Sequence, residues 1–275
     1  YRLKHYFKNI KFISIQNGLR HKCGDLFGNP ELNKELICDK ILVFGNSIKK
    51  KYEQYIDADV KTVGCYRNNN YNIFRLKKKN TVLFISQFRN YPSSKIISYL
   101  GKNIITWGHL NSNLSTLLPN LIKYCDRNNL KFGILSTTGS KKEYEYFRKI
   151  LGRNKYWKFY KPKTQKESYK ILDMNEIIVN VWSTMGMESL SRGNKTCFFK
   201  QSDFGFNDRH FGWPKKYIEQ NDFYTNKVDY LAVSKILNKM RSIKIVDWKK
   251  IVNRYSGDNL TYNFQNNKLI KLIKE

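Results

Sequence analysis

The sequence predicts an α/β protein with a doubly wound parallel sheet, and three observations predict it. Short apolar runs alternate with longer amphipathic stretches between residues 81 and 200. Several of these runs are apolar throughout, as in strands covered on both faces by helices. Glycine-, asparagine- and serine-rich turns separate the segments at regular intervals, with no internal repeat and no low-complexity linker.

The elements follow in order. Ile10–Ile15 (IKFISI) reads as a buried strand, and Gln16-Asn17-Gly18 as the loop after it. Ile41–Phe44 is a second strand, stopped by Gly45-Asn46. A helix follows over Ser47–Tyr55, with Asn46 or Ser47 as its N-cap. Val60–Val63 is a third strand. The polar run from Arg67 to Asn80 marks a domain boundary, giving an N-terminal portion over 1–80 and a second domain over 81–275. The second domain opens on the strand Thr81–Ile85 (TVLFI). The helix Leu114–Asn128 and the strand Leu130–Leu135 come next, then the helix Lys141–Leu151, capped by Ser140. Trp157–Tyr160, Glu176–Trp182 and Lys195–Phe199 are strands. Gln165–Leu172 and Met185–Arg192 are helices, and the latter stops at Gly193. Tyr230–Met240 and Trp248–Tyr255 close the chain as helices, and the last of these can pack back on the first domain. At least four strands alternating with helices make a right-handed, Rossmann-like sheet the economical architecture.

Composition bounds function loosely. The chain has 275 residues, 41% hydrophobic and 15% aromatic, enough to bury two cores. No apolar run approaches the roughly 18–20 residues that span a bilayer. The chain begins on Tyr1 rather than Met and shows no signal peptide, so it reads as a piece of a longer, cytoplasmic protein with an incomplete N-terminal half. Five cysteines without a Cys-x-x-Cys pair argue against a disulfide scaffold and against zinc. The net charge is +29, from 51 Lys+Arg against 22 Asp+Glu. Such a charge favours nucleic acid, an anionic membrane face or phosphorylated small molecules. The lysines are spread evenly among Asn, Ile and Tyr, a mixture that an AT-rich genome also writes.

The stretch Val179–Gly193 carries the chemistry. It reads as strand, tight turn and helix, with Ser183, Thr184 and Gly186 in the turn and Glu188 in the first helical turn. Free N–H groups and the dipole at such a helix start favour an anion. Ser183 and Thr184 add hydroxyl donors for a phosphate, Gly186 permits close approach of a ligand, and Glu188 can accept from a ribose diol. The same residues also make an ordinary helix cap. Ser86, Gln87 and Arg89 follow the first strand of this domain, and so stand at a carboxyl end, where doubly wound sheets bind ligands. Arg89 suits bidentate pairing with a phosphate, although an arginine in this place is often simply solvated.

The run Ser183-Thr-Met-Gly-Met-Glu-Ser-Leu-Ser-Arg-Gly-Asn-Lys195 resembles the C-terminal signature of GT-B glycosyltransferases. It is especially similar to the capsule, O-antigen and teichoic acid transferases, including CDP-glycerol glycerophosphotransferases and Kdo transferases. The likeness extends over roughly residues 80–215. It implies that Ser183 and Thr184 hold donor phosphate, that Glu188 holds the ribose, and that Tyr160–Tyr169 holds the base. It implies a CMP-, CDP- or UDP-linked donor and a glycan or lipid-linked acceptor. No resident cofactor is implied. Enzymes of this kind have two domains of comparable size, and residues 1–80 supply too few strands for a complete first one.

Gln16, Gly18, Arg20 and His21 resemble the loop that lines the cleft opposite the donor. An inverting transferase needs a base near neutral pH, which histidine supplies, and His21 is the first candidate. His109 and His210 are its rivals, and the loop of His210 can also contact donor sugar or close over the cleft. No Gly-x-Gly-x-x-Gly, P-loop or Gly-x-Ser-x-Gly is present. The sequence shows no Asp-x-Asp of the metal-binding sort found in GT-A transferases, which fits a metal-independent GT-B mechanism. Three other readings stand beside this one. They are a nucleotide-sugar epimerase of GT-B architecture, a basic nucleic-acid-binding protein, and a non-catalytic remnant. A peripheral position on anionic lipid, at the inner membrane face, suits the charge.

Overall fold

A computed structural model describes residues 2–19, 37–54, 56–76, 78–100, 103–152, 157–199 and 223–275. They form two compact units. One comprises the described parts of Tyr1–Asn72 with Lys249–Glu275, the other those of Ile73–Phe206 with Glu219–Trp248.

The first unit carries helix α1 (Arg2–Tyr6), strands β1 (Ile13–Ile15) and β2 (Ile37–Val43), helix α2 (Asn46–Tyr52), strand β3 (Asp57–Thr62) and helix α3 (Tyr66–Asn69). Its sheet is parallel in the order β1-β2-β3, with Ile15 beside Leu42 and Ile41 beside Val60. Alternation along β2 sorts the core. Ile41 and Val43 pack with Ile48 and Tyr52 of α2, whereas Leu42 packs on the other face with Val63, Leu269 and Leu272. The last two residues belong to the final helix, which accounts for the C-terminal segment joining this unit. The boundary at residue 80 assigns that segment to residues 81–275, with its helix Trp248–Tyr255 expected to be able to pack back on the first domain. The asparagines expected to lie in a linker are instead core polar groups. Asn69 donates to Val63 O and Asn266 Oδ1, both at 3.0 Å, and Asn266 Nδ2 donates to Tyr66 O at 2.9 Å.

The second unit runs β4 (Lys78–Ile85), β5 (Ile96–Leu100), β6 (Asn103–Thr106), α4 (Trp107–Asn111), α5 (Leu114–Arg127), β7 (Lys131–Leu135), α6 (Lys141–Leu151) and β8 (Trp157–Tyr160). It continues α7 (Gln165–Met174), β9 (Asn175–Asn180), α8 (Thr184–Ser191), β10 (Lys195–Phe199), β11 (Tyr224–Thr225), α9 (Tyr230–Ser242) and the start of α10 (Ile245–Asn259). The rest of α10 and α11 (Asn267–Lys274) fall in the first unit. β5 and β6 form an antiparallel hairpin. The other six strands make one parallel sheet in the order β8-β7-β4-β9-β10-β11. Counted along the chain, that is 3-2-1-4-5-6, the order of dinucleotide-binding sheets, with its reversal between β4 and β9. The central strands are buried on both faces: Val82 to Ile85 and Ile177 to Val179 are all 2% exposed or less. This matches the all-apolar pattern read from the sequence.

Candidate functional site

In a doubly wound sheet the connections from the strands on either side of the reversal leave in opposite directions, which opens a crevice at their carboxyl ends. Here those ends are Ile85 and Asn180, on strands paired through Phe84 and Val179. Ser86, Gln87 and Arg89 continue from one, and Ser183 and the start of α8 from the other.

Ser86 faces inward. It is buried, its hydroxyl donates to Glu143 Oε1 at 2.5 Å, and Ser86 Oγ accepts from Phe88 N at 3.1 Å. Ser86 is expected at the ligand, and its hydroxyl is engaged by Glu143 within the fold. Gln87 is half-buried, and its Nε2 is sealed from solvent without a hydrogen-bond partner. A buried N–H of this kind costs about 1–3 kcal/mol when left unmade, and so calls for an acceptor. Arg89 is exposed.

Across the reversal, Ser183 caps α8, its hydroxyl accepting from Met185 N at 3.3 Å. Asn180 braces the turn: its Oδ1 accepts from Ser183 N and its Nδ2 donates to Ser183 O, both at 3.2 Å. This brace explains Gly186, since a Cβ there would overlap the Asn180 side chain. The glycine therefore makes room for Asn180. Thr184 and Met185 are half-buried at the helix start. Glu188 lies a full turn into α8 rather than in its first turn, is 5% exposed, and accepts from Tyr169 Oη at 2.8 Å.

A buried ion pair holds the far end of α8. Arg192 meets both oxygens of Asp173, with Nε to Oδ1 at 2.9 Å and Nη2 to Oδ2 at 2.5 Å. Asn194 Nδ2 and Phe74 N complete the carboxylate at 2.8 and 2.9 Å. The guanidinium also stacks over the Tyr169 ring at 5.0 Å. Tyr169, and through it Glu188, is thus fixed from below.

Nothing in the sequence reading singled out the aromatic residues here. Trp182, immediately before Ser183, packs edge-on to Trp107 at 5.8 Å, and Trp107 to Tyr91 at 5.7 Å. The three come from the segments after β9, β6 and β4. Their spacing in sequence hides the cluster; the one local signal is Trp182 inside the signature itself.

The remaining expected residues divide plainly. Gln16 is buried with both amide atoms in use: Nε2 donates to Gly18 O and Oε1 accepts from Phe44 N, each at 2.8 Å. It ties the carboxyl ends of β1 and β2 together. Gly18 borders open space. His109 caps its own helix, with Nδ1 accepting from Thr106 N at 3.3 Å. Arg20, His21 and His210 lie outside the described residues. The chain does contain one Asp-x-Asp, Asp57-Ala58-Asp59, but it lies within β3 and Asp59 pairs with Lys61 at 2.8 Å. Among the described residues, no group of three or more His, Cys, Asp or Glu is placed to hold a metal ion.

A family model described as "putative O-antigen biosynthesis protein" matches residues 13–275. The chain belongs to this O-antigen biosynthesis family. No curated protein sequence matches it. Three solved structures of this fold stand beside the O-antigen family chain. A "putative UDP-N-acetylglucosamine 2-epimerase" of Listeria monocytogenes is 10% identical, with a TM-score of 0.57 over 99% of this chain and 69% of that one. The wall teichoic acid polymerase TagF is also 10% identical, with a TM-score of 0.51 over 86% of this chain and 56% of that one. The pneumococcal O-GlcNAc transferase GtfA, solved with UDP and GlcNAc, is 9% identical, with a TM-score of 0.53 over 99% of this chain and 53% of that one. At these identities the likeness is one of fold, and the fold is the GT-B-like α/β architecture expected from the signature. The O-antigen family chain spans about half to two-thirds of these proteins' lengths.

Proposed function

We propose that the chain is the donor-binding part of a metal-independent transferase. It moves a sugar, or glycerophosphate, from a CMP-, CDP- or UDP-linked donor to a growing surface polysaccharide. The observation that carries this reading is the crevice between β4 and β9. It has a serine-capped helix start on one side and the unpartnered Gln87 amide on the other. Family membership supplies the pathway.

In this reading the donor's phosphates sit at the start of α8, where Ser183 and Thr184 and the helix dipole meet negative charge. Gln87 donates to a phosphate or sugar oxygen, and Arg89 neutralises the leaving group. Glu188, set by Tyr169, accepts from the ribose. His21, with Arg20, Gln16, Gly18 and His210 on the acceptor side, takes the proton of the acceptor hydroxyl. That oxygen then bonds to the transferred group as the bond to the donor phosphate breaks, and the nucleotide leaves with the electron pair. An anionic membrane face suits the exposed Leu3, Tyr6, Phe7 and Ile10, which alternate with lysines at the start of the chain. Among the described residues no helix is long and apolar enough to cross a membrane.

The test is a thermal-shift panel of CMP, CDP, UMP, UDP, GDP and a short single-stranded oligonucleotide at two salt concentrations. A ligand bound only by the folded state raises the melting temperature. A shift with one pyrimidine nucleotide that survives salt is the expected result. A shift with the oligonucleotide alone, lost in salt, overturns the reading in favour of nucleic acid.

A further inference from the structure

β8 is the edge strand of the six-stranded sheet, two strands from β4 and so about 10 Å from the crevice at ~4.8 Å per strand. Trp157, Phe159 and Lys161 alternate along it and its continuation. Trp157 and Phe159 meet edge-on at 6.3 Å, and Tyr144 of α6 packs against both, at 5.6 and 5.5 Å. The Lys161 ammonium stands 5.9 Å from the Tyr144 and Phe159 rings. Together with Lys158, these residues line a cavity of about 400 Å³, within the range of small-ligand sites. Among the described residues no carboxylate lines it. Trp157 is only 5% exposed, yet its indole N–H has no hydrogen-bond partner among the described residues. A buried indole normally finds one.

From these features we infer that the β8 cavity is a second binding site, for an acidic sugar residue of a glycan chain. Aromatic faces stack on the C–H face of a pyranose ring. The Trp157 N–H needs an acceptor, which a ring hydroxyl supplies. Lys158 and Lys161 add two positive charges with no lining carboxylate to oppose them, and they match a carboxylate or phosphate substituent. The inference rests on the transferase reading for the source of the glycan, which is then the growing polymer held away from the point of transfer.

Isothermal titration of the protein with tetragalacturonate, with a neutral tetrasaccharide of glucose, with inorganic phosphate and with UMP tests it. UDP and CDP thermal shifts are recorded on the same samples. Tetragalacturonate is expected to bind at least about tenfold tighter than the neutral chain. Lys158→Gln removes that preference. Trp157→Phe keeps a ring but loses the N–H, and weakens binding by about tenfold. Neither substitution alters the nucleotide shifts, which also report that the variants are folded. Equal binding of the acidic and neutral chains, unchanged binding in both variants, displacement by UMP or matching affinity for phosphate alone each overturns the site. Loss of the nucleotide shifts with glycan binding intact overturns the donor reading and leaves this site standing.

Discussion

Two helix starts in the second unit are built from nearly the same residues and end in opposite states. After β7 the chain runs Ser136-Thr-Thr-Gly-Ser-Lys-Lys-Glu143, and after β9 it runs Ser183-Thr-Met-Gly-Met-Glu188. At α6 the Glu143 carboxylate turns back into the turn. It accepts from the backbone N–H groups of Thr137 and Thr138 at 2.8 Å and of Gly139 at 3.2 Å. The hydroxyls of Ser86, Ser136 and Thr138 add to it at 2.5, 2.7 and 2.7 Å. Burial pushes this carboxyl's pKa up, but the hydroxyl and amide donors outweigh it and hold the group below the ordinary carboxylate range. The helix start carries its own anion. At α8 the glutamate stands two residues further in, turns to Tyr169, and leaves the cap to a serine hydroxyl. Position within the helix, not residue type, decides which turn the glutamate closes.

The largest expected effect comes from breaking the closed turn. Glu143→Ala orphans the backbone N–H groups of Thr137 and Thr138 and the hydroxyls of Ser86 and Ser136 at a buried site, while Gly139 N keeps Ser136 Oγ and Thr138 Oγ1 keeps Ser140 Oγ, and it is expected to cost about 3–5 kcal/mol in urea denaturation. A loss below about 1 kcal/mol would mean that water replaces the carboxylate.

Gly186→Ala tests the open turn in the same way. The new methyl meets Asn180, and overpacking of this kind costs about 1–3 kcal/mol. Adding Asn180→Ala relieves the clash, so the double variant is expected to be more stable than the summed single effects predict. Additive losses would remove the stated reason for the glycine.

Proton linkage sharpens the contrast. A carboxyl held low when folded binds fewer protons than the unfolded chain does. Its stabilisation is therefore full above the ordinary glutamate pKa of about 4.3, and is lost as pH falls through the lower folded value. Urea midpoints followed from neutral pH down through this window are expected to fall less steeply in Glu143→Gln than in the wild type. Parallel curves would show that the acid sensitivity lies elsewhere. The smallest effect is that of Ser183→Ala, about 1 kcal/mol for a lost cap, again read from urea midpoints.

Much of this was legible in the chain itself. The strands Trp157–Tyr160 and Lys195–Phe199, and the helix Lys141–Leu151 with its Ser140 cap, stand where their apolar runs and turn residues put them. The parallel, doubly wound character of the sheet follows the alternation, because right-handed crossovers leave few other ways to connect the strands, but the two-residue edge strand Tyr224–Thr225 carries no such signal. What was hidden depends on contacts between distant residues. The asparagines at 68–70 look like linker, yet Asn68 and Asn69 are fully buried, and Asn69 and Asn70 pair with Asn266. The helix Asn267–Lys274 follows an asparagine-rich stretch and shows its apolar side only once Leu269 and Leu272 meet the sheet. In the site, the strand ends and the signature helix could be placed from sequence. The inward turn of Ser86 toward Glu143, the Asn180 brace and the unpartnered Gln87 amide could not. Each is set by side-chain direction at a strand end, where alternation breaks down.

The central claim is that the start of α8 takes the anion that α6 already has. Met185→Glu supplies α8 with a carboxylate of its own in the first turn, where it is expected to leave helix stability unchanged or raise it by about 0.3–1 kcal/mol. The decisive measurement is isothermal titration of UDP and CDP into the wild type and this variant. The account predicts saturable binding of one of them to the wild type, and at least about a tenfold loss, or 1.4 kcal/mol, in the variant. Equal affinity in both proteins would contradict it.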